Sequence, residues 1–164
     1  MTEVAVADGI FRIDNGTPKL LGSRCTNCGN HMFPRQSGCP KCMFNTQEDV
    51  ELATRGTLWT WTVQAFAPKA PPYLGPTGDD FVPYGVGYVE LDGQLRVEGR
   101  LTESDPAKLV IGMEMELVLE HLSVDDDGND VVTYAFAPVA GTGTGAGDPA
   151  TSTAADTSSK GIAS

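Results

Sequence analysis

Four cysteines lie close together in the N-terminal part of the chain, arranged as two pairs. Two residues separate Cys25 from Cys28, ten residues follow, and Cys39 and Cys42 repeat the first spacing. Two such pairs form two tight turns that together offer four thiolates to one tetrahedral Zn²⁺. The pattern predicts a zinc ribbon with one structural metal per chain, because four protein ligands leave no open position for water or substrate.

Two other uses of these cysteines are a disulfide pair and a redox Cys-x-x-Cys motif. Disulfides need an oxidising compartment, and a redox motif usually occurs once, near a βαβ unit. The chain starts with two acids, Glu3 and Asp8, and without the basic and apolar stretch of a secretory signal. No apolar run approaches the ~18 residues of a membrane span. We therefore expect a cytoplasmic protein that holds zinc and is not associated with a membrane.

The remaining polar residues do not indicate a self-sufficient active site, and no catalytic residue is assigned. His31 lies in the spacer between the cysteine pairs, and His121 ends a predicted strand, where a surface role is expected. The sequence has no nucleophile elbow, P-loop or dinucleotide-binding glycine motif. The acidic run Asp125–Asp130 lacks the glycine and glutamate that a calcium loop needs at its sixth and twelfth places, so it predicts a hairpin turn.

Charge is unevenly distributed along the chain, whose net charge is −11. This value argues against nucleic acid, because affinity for a polyanion rests on Lys and Arg. From Phe11 to Cys42, however, five bases stand against one acid, whereas from Met43 to Ala137 five stand against seventeen. Arg24, Arg35 and Lys41 are therefore predicted anion contacts, with Arg35 the strongest candidate for bidentate phosphate binding. The alternative is that these residues only offset thiolate charge around the zinc.

Hydrophobic alternation with a period of two predicts a mainly β fold. Asn15-Gly16, between two apolar stretches, predicts a hairpin before the cysteines. In Trp59–Gln64 the odd positions are apolar, so Trp59 and Trp61 are expected to share the buried face. Asp105–Leu109 predicts a short helical turn. Five strands with a short helix between the third and fourth match the OB-fold barrel; the predicted strands are Trp59–Gln64, Tyr84–Tyr88, Leu95–Leu101, Met113–Glu120 and Val132–Phe136.

Composition divides the chain into four segments. We predict an N-terminal hairpin or arm at residues 1–21, a rubredoxin-like zinc ribbon at 22–45, an OB-fold at 46–139 and a disordered tail at 140–164. Gly, Ala, Ser and Thr supply 19 of the 24 residues from Gly141 to Ser164, which cannot bury enough apolar surface to order them.

A long proline-rich stretch, Ala67–Phe81, separates the first two predicted barrel strands. Loops of this length are often functional, and the corresponding loop of an OB-fold commonly lines the binding face. Tyr73, Leu74 and Phe81 are therefore predicted to contact a partner. The alternative is that these side chains pack against their own barrel.

Several motifs, in order, resemble the domain-of-unknown-function 35 family. The ribbon motifs are Arg24–Gly29, Phe33–Arg35 and Cys39–Cys42. Gly56–Thr62, Pro83–Gly93 and Ile111–Met113 look like the first strand, the second strand with its turn, and the entry to the fourth strand of that family's barrel. The resemblance covers about Leu21 to Val139, although many relatives begin with longer N-terminal helices where a hairpin is predicted here.

The resemblance implies a zinc ribbon plus OB-fold protein that partners thiolases or lipid-transfer-protein-like aldolases in a hetero-oligomer. It implies a non-catalytic accessory subunit that helps to hold an acyl-CoA thioester for C–C bond cleavage or formation. Arg24, Arg35 and Lys41 then become candidate contacts for a CoA phosphate or the partner. One alternative is a nucleic-acid-binding OB protein, disfavoured by charge and by an expected lack of bases alternating with exposed aromatics. The other is a stand-alone acyl-CoA enzyme.

Overall fold

Ten strands and one 3₁₀ helix, Gly78–Asp80, make up the secondary structure of the computed structural model, which describes residues 2–71, 73 and 75–140. The predicted mainly β fold is confirmed. Apart from Ala140, the predicted tail lies outside the described residues. A helix that could span a membrane is not found among the described residues. The strands are β1 Glu3–Ala5, β2 Phe11–Asp14, β3 Thr17–Cys25, β4 His31–Met32, β5 Gln47–Glu51, β6 Arg55–Gln64, β7 Tyr84–Glu90, β8 Arg96–Leu101, β9 Glu114–Val124 and β10 Asp130–Pro138.

The N-terminal hairpin is formed by β2 and β3, which pair antiparallel from Phe11↔Leu20 to Asp14↔Thr17. Its turn residues Asn15 and Gly16 both have positive φ, 49° and 75°. Asparagine and glycine tolerate this left-handed conformation better than other residues. The predicted hairpin is therefore confirmed.

The ribbon sheet is built around β3, which is long enough to reach from the hairpin to the first cysteine. Its C-terminal half pairs with β4 and, along Leu21 to Cys25, with β5. Strand β5 lies downstream of the segment 22–45 in which the sequence predicts the ribbon. The ribbon sheet thus includes residues from both sides of the cysteine cluster.

Strands β6 to β10 form a closed five-stranded barrel in the order β6-β7-β8-β10-β9, with β9 pairing back to β6. The β8–β10 pair is parallel and the other barrel pairs are antiparallel. This closure confirms the predicted OB-fold. Strand β1 extends the sheet by pairing parallel with β10.

The turn between β8 and β9 does not become the predicted helix. The N–H of Lys108 donates to the carbonyl of Asp105 at 3.0 Å, which closes one turn. Leu109 is then buried, and the N–H of Gly112, at φ 89°, donates to Leu58 of β6 at 2.7 Å. Because the chain is tied to the barrel so soon, there is no length for a second helical turn.

Trp59 lies on the opposite face from the one its sequence pattern predicts. The register between β6 and β7 shifts between Leu58 and Thr60, which marks a β-bulge. Leu58 is fully buried, whereas Trp59 is 46% exposed. The prediction that Trp59 shares the buried face with Trp61 is therefore wrong, because an extra residue reverses the side-chain alternation on one side of a bulge.

One hydrophobic core joins the barrel to the N-terminal hairpin. Barrel residues such as Val97, Met115 and Phe136 belong to the same buried cluster as Phe11 and Leu20 of the hairpin. The ribbon contributes partly buried side chains to this core, such as Phe33 and Val50. Its own buried cluster consists of Met32 and two cysteines, with the other two cysteines packed against them.

Tyr134 of β10 packs where the ribbon module meets the barrel. The rings of Phe11 and Phe33 lie edge-on to it, each with a centroid separation of 5.9 Å, and Phe136 packs at 6.4 Å. Its hydroxyl donates to the carbonyl of Glu98 at 2.9 Å. Burial raises the pKa of Tyr134 to about 12, with a further contribution from the Glu98 carboxylate.

Candidate metal centre and interaction faces

The four cysteine sulfurs converge on one point. All four Sγ atoms lie within 4.8 Å of one another, and the Sγ pairs Cys25–Cys42 and Cys28–Cys39 are each 3.6 Å apart. A tetrahedral zinc with bonds of about 2.3 Å places its sulfurs roughly 3.8 Å apart. A disulfide would need about 2.05 Å. The sulfurs therefore fit a zinc ion held by four thiolates, and His31 is not one of the cluster.

Two turns with the same backbone hydrogen bonds hold these sulfurs. In each turn the residue after the second cysteine donates its N–H to the carbonyl of the first: Gly29 to Cys25 at 2.8 Å and Met43 to Cys39 at 2.9 Å. A second bond closes each turn, from the first cysteine's N–H to the carbonyl five residues on: Cys25 to Asn30 at 2.9 Å and Cys39 to Phe44 at 3.0 Å. Residues 25–30 and 39–44 are thus two copies of one metal-binding turn.

The thiols have unequal proton affinities. The N–H of Phe44 and the side chain of Asn27 lower the pKa of Cys42 to about 6. At Cys28 the N–H of Asn30 acts in the same direction, but burial and the neighbouring thiols outweigh it and raise the pKa to about 11. Four thiolates this close repel one another unless a cation lies between them, and metal binding releases their protons.

Met43 occupies a strained position. Its φ is +64°, and the matching residue of the first turn is Gly29 with φ +74°. The left-handed region costs a residue with a side chain about 1 kcal/mol, whereas glycine enters it freely. Met43 is also 81% exposed, so it gains little from packing within the chain.

Replacing Met43 with glycine is expected to stabilise the protein. We expect Met43→Gly to raise the free energy of unfolding by about 0.5–1 kcal/mol, because it removes the left-handed strain. Denaturant unfolding of the zinc-loaded protein measures the change. The reverse substitution, Gly29→Met, is the matched control and is expected to destabilise the chain. A loss of stability in Met43→Gly would show that the left-handed backbone at this position is not strained.

Arg24 and Arg35 do not form one cationic surface. Arg24 pairs with Glu48 at 3.3 Å, and Arg35 pairs with Asp49 at 2.7 Å. Glu48 and Asp49 are consecutive residues of β5, so their side chains point to opposite faces of the ribbon sheet. Lys41 lies on the second metal-binding turn and has no ion pair with any residue that the structure describes.

The outer face of the barrel carries two arginines stacked on aromatic rings. The guanidinium of Arg96 lies 3.9 Å from the ring centroid of Trp59, and that of Arg100 lies 3.8 Å from Tyr84. The expectation that no base would alternate with exposed aromatics is therefore wrong. Sequence reasoning missed both pairs because the bulge at Trp59 and the pairing of β6, β7 and β8 bring the residues together only in three dimensions.

Both stacked arginines are also neutralised by carboxylates. Arg96 pairs with Glu90 at 2.6 Å, and Arg100 pairs with Glu120 at 2.7 Å. The Nε of Arg100 and the second carboxylate oxygen of Glu120 are buried without a hydrogen-bond partner. This face therefore offers flat rings but no excess positive charge.

The loop between β6 and β7 folds back in part onto its own barrel. Tyr73 is half-buried beside Arg100 and His121, and the ring of Phe81 lies edge-on to Tyr84 at 6.1 Å. Leu74 lies outside the described residues. The exposed apolar side chains flank the predicted loop on either side, at Phe66 and Val82, each 74% exposed.

The two remaining candidate motifs are structural in the region described. His121 contacts Asp130 through Nδ1, joining β9 to β10 at the surface. In the acidic run, Asp125 accepts hydrogen bonds from the N–H groups of Asp127 and Asn129 at 3.0 and 2.8 Å. These bonds close the predicted hairpin turn with a carboxylate that a calcium ion would otherwise use.

Comparison with known proteins gives matches across both modules. Residues 16–48 match the family model described as "ChsH2, rubredoxin-like zinc ribbon domain", and residues 49–120 match "ChsH2, C-terminal OB-fold domain". A DUF35 domain-containing scaffold protein of Methanocaldococcus jannaschii is 34% identical over 125 residues, which cover 73% of this chain and 82% of the relative.

Two further relatives are similar over comparable lengths. Benzoylsuccinyl-CoA thiolase subunit BbsA of Thauera aromatica is 32% identical over 123 residues, covering 75% of this chain and 78% of the relative. A chain of the solved Ltp2-ChsH2(DUF35) aldolase matches with a TM-score of 0.52 and 29% identity, covering 73% of this chain and 84% of that one. The chain belongs to the ChsH2/DUF35 family, whose members join a rubredoxin-like zinc ribbon to an OB-fold.

Proposed function

We propose that this protein is a non-catalytic accessory subunit of a thiolase-like or lipid-transfer-protein-like aldolase complex. It docks on the catalytic subunit and helps to hold an acyl-CoA thioester during C–C bond cleavage or formation. The observation that carries the proposal is similarity, across both modules, to relatives named scaffold protein, thiolase subunit and ChsH2 aldolase component.

The chemistry of the chain supports an accessory role. The metal site has four protein ligands, so the zinc has no position at which to activate a substrate. Those ligands use all the thiols of the sequence. In the part of the chain that the structure describes, the one histidine–carboxylate pair, His121 with Asp130, lies at the surface. The bond-making groups are therefore expected on the catalytic subunit.

The zinc-loaded chain, freed of its partner, is expected to show no thiolysis. The assay supplies acetoacetyl-CoA with free CoA and follows the disappearance of acetoacetyl-CoA and of the free CoA thiol as two molecules of acetyl-CoA form. An aldol-cleavage assay with a β-hydroxyacyl-CoA accompanies it. Turnover by this polypeptide alone, after a catalytic contaminant has been excluded by mass spectrometry, would overturn the accessory-subunit proposal.

We propose Arg24, Arg35 and Lys41 as the contacts for a CoA phosphate or an acidic partner surface. The carboxylate partners of both arginines are exposed, and such ion pairs are worth only about 0–1 kcal/mol. A phosphate that binds an arginine at two points can therefore displace the carboxylate. Because Arg24 and Arg35 lie on opposite faces, one of them is expected to contact the ligand and the other the partner.

Charge reversal tests these contacts. Arg35→Glu and Lys41→Glu are each expected to weaken binding to the catalytic subunit or to acyl-CoA about fivefold, and less at high salt. Isothermal titration at two salt concentrations measures the effect. Lys108→Glu, on the barrel, is the control with the same change in net charge. If both variants keep zinc, fold and full affinity, these side chains have no such role.

We also propose the loop Ala67–Phe81 as a second contact region, together with Phe66 and Val82. Its four prolines reduce the number of states lost on docking. Since Tyr73 and Phe81 pack partly against the barrel, the flanking pair Phe66 and Val82 supplies the exposed apolar surface of this region.

A second candidate function is binding of single-stranded nucleic acid. The stacked pairs Arg96–Trp59 and Arg100–Tyr84 favour it, because aromatic rings beside arginines are typical of base-stacking platforms. Their carboxylate partners and the net charge of −11 oppose it. Fluorescence titration with a single-stranded oligonucleotide separates the two: salt-dependent quenching lost in Trp59→Leu would favour nucleic acid.

A further inference from the structure

The second metal-binding turn presents two apolar side chains to solvent where the first turn presents none. Met43 is 81% exposed and Phe44 is 55% exposed. The matching residues of the first turn are Gly29 and Asn30, and their backbone makes the same hydrogen bonds. The two turns therefore position their cysteine sulfurs in the same way but expose different side chains to solvent.

The exposed side chains of Met43 and Phe44 add little to the stability of the folded chain. Met43 holds a left-handed conformation, φ +64°, that glycine fills in the first turn. Strain of this kind persists where the surroundings enforce it and is concentrated at functional sites. Exposure of two neighbouring apolar side chains is unfavourable in water. An apolar surface of another protein that covers Met43 and Phe44 accounts for both the retained strain and the exposed apolar side chains.

The backbone beneath Phe44 is held rigidly. Its carbonyl accepts from the N–H of Cys39 at 3.0 Å and from Nε2 of Gln47 at 2.8 Å. The turn is also fixed by the metal ligands Cys39 and Cys42 at its base. A side chain whose backbone is ordered before binding loses little conformational entropy when it contacts a partner.

The charge beside Met43 and Phe44 indicates what kind of surface this pair fits. Lys41 is exposed and, among the residues that the structure describes, has no carboxylate within ion-pair distance. Arg12, Arg24 and Arg35, in contrast, each pair with a carboxylate of β5. The second metal-binding turn thus combines two exposed apolar side chains with one uncompensated positive charge.

We propose that Met43 and Phe44 are the anchor with which this chain docks on its catalytic subunit. They insert into an apolar pocket of that subunit, and Lys41 meets an acidic side chain at the rim of the pocket. Large apolar residues at the centre of an interface, surrounded by polar contacts, carry most of the binding energy in protein complexes. The inference rests on the proposed function, because it takes the catalytic subunit as the occupant.

The experiment measures affinity of the zinc-loaded chain for the catalytic subunit that co-purifies with it. The double variant Met43→Gly/Phe44→Ser is expected to bind at least about tenfold more weakly. Met43→Gly alone is expected to bind more weakly while being more stable than the wild type, so unfolding cannot explain the loss. Lys41→Gln is expected to weaken binding at low salt and to have little effect at high salt.

The control is Ile111→Ser, which removes an apolar side chain that is 64% exposed on the barrel. It is expected to change affinity by less than about twofold, within the range of surface substitutions. If the double variant keeps its zinc and binds as tightly as the wild type, the anchor is overturned and the proposed function stands. If the double variant loses zinc, Met43→Gly alone tests the anchor, and an affinity of that variant equal to the wild type overturns it. If no thiolase- or aldolase-type subunit co-purifies, the proposed function fails, and the anchor with it.

Discussion

Removal of zinc is expected to unfold the ribbon. The buried cluster of this module consists of Met32 and cysteines, so little apolar burial is left to hold it together without the metal. A structural zinc contributes an apparent ~10–16 kcal/mol in small zinc modules, which equals or exceeds the total stability of many domains. We therefore expect Cys25→Ala/Cys28→Ala, or treatment with a strong chelator, to abolish structure between residues 26 and 46.

Metal analysis and hydrogen exchange measure this effect. The wild type is expected to contain one zinc per chain, and the cysteine variant none, with amide protection lost across the ribbon and retained in the barrel strands. His31→Ala is the matched control, since His31 lies in the spacer but outside the sulfur cluster. A wild-type protein without zinc, or a double cysteine variant with a protected ribbon, would contradict the assignment.

Truncation of Tyr134 is expected to give the second-largest effect. Tyr134→Ala removes a ring packed against Phe11, Phe33 and Phe136 and leaves a cavity between ribbon and barrel. Truncation of a fully buried aromatic side chain typically costs about 3–5 kcal/mol, and Tyr134 is half-buried, so Tyr134→Ala is expected to cost about 2–3 kcal/mol. Tyr134→Phe keeps the ring and loses one hydrogen bond, so it is expected to cost about 1 kcal/mol.

Denaturant unfolding, with Tyr88→Ala as the control, tests this role. Tyr88 is 39% exposed and has one ring contact, with Trp59, so its truncation is expected to cost less. The raised pKa of Tyr134, about 12, adds a pH test. Its stabilising contribution is complete below the ordinary tyrosine pKa of about 10 and is lost as the pH rises from there through about 12. If Tyr134→Phe keeps the whole of this alkaline loss, or if Tyr134→Ala unfolds like the control, Tyr134 does not join the modules.

The features predicted correctly from sequence are those encoded by neighbouring residues. Cysteine spacing predicts the metal cluster, because each pair of ligands lies within one turn. Asn15-Gly16 predicts its hairpin, because the left-handed backbone there is a local property of two residues. The barrel strands follow from the alternation of apolar and polar side chains, which burial of one face requires.

The features missed depend on contacts between distant segments. Arg24 and Arg35 are predicted as anion contacts, and the sequence does not show that they pair with acids more than ten residues away, on a strand that returns to the ribbon. The bulge that exposes Trp59 depends on the pairing of β6 with β7, which period-two alternation cannot show. Tyr134 has no local motif, since its partners Phe11 and Phe33 lie over a hundred residues away in the sequence.

The strain at Met43 has a sequence signal that can be recognised in retrospect. Glycine follows the second cysteine of the first pair, and Met43 occupies the same place after the second pair. Once the first turn is known to need a positive φ, the second must place a methionine in that conformation. Comparison of the two halves of the ribbon thus identifies a strained, exposed residue.

Purification of the native complex shows whether this chain is an accessory subunit of an acyl-CoA enzyme. The protein is isolated from its own cells under mild conditions, and the bound polypeptides are identified by mass spectrometry and weighed as an intact assembly. We expect a thiolase-like or aldolase catalytic subunit in fixed stoichiometry with this chain, and acyl-CoA cleavage or condensation only in that complex. A chain that is isolated alone, or with nucleic acid in place of a catalytic subunit, would contradict this expectation.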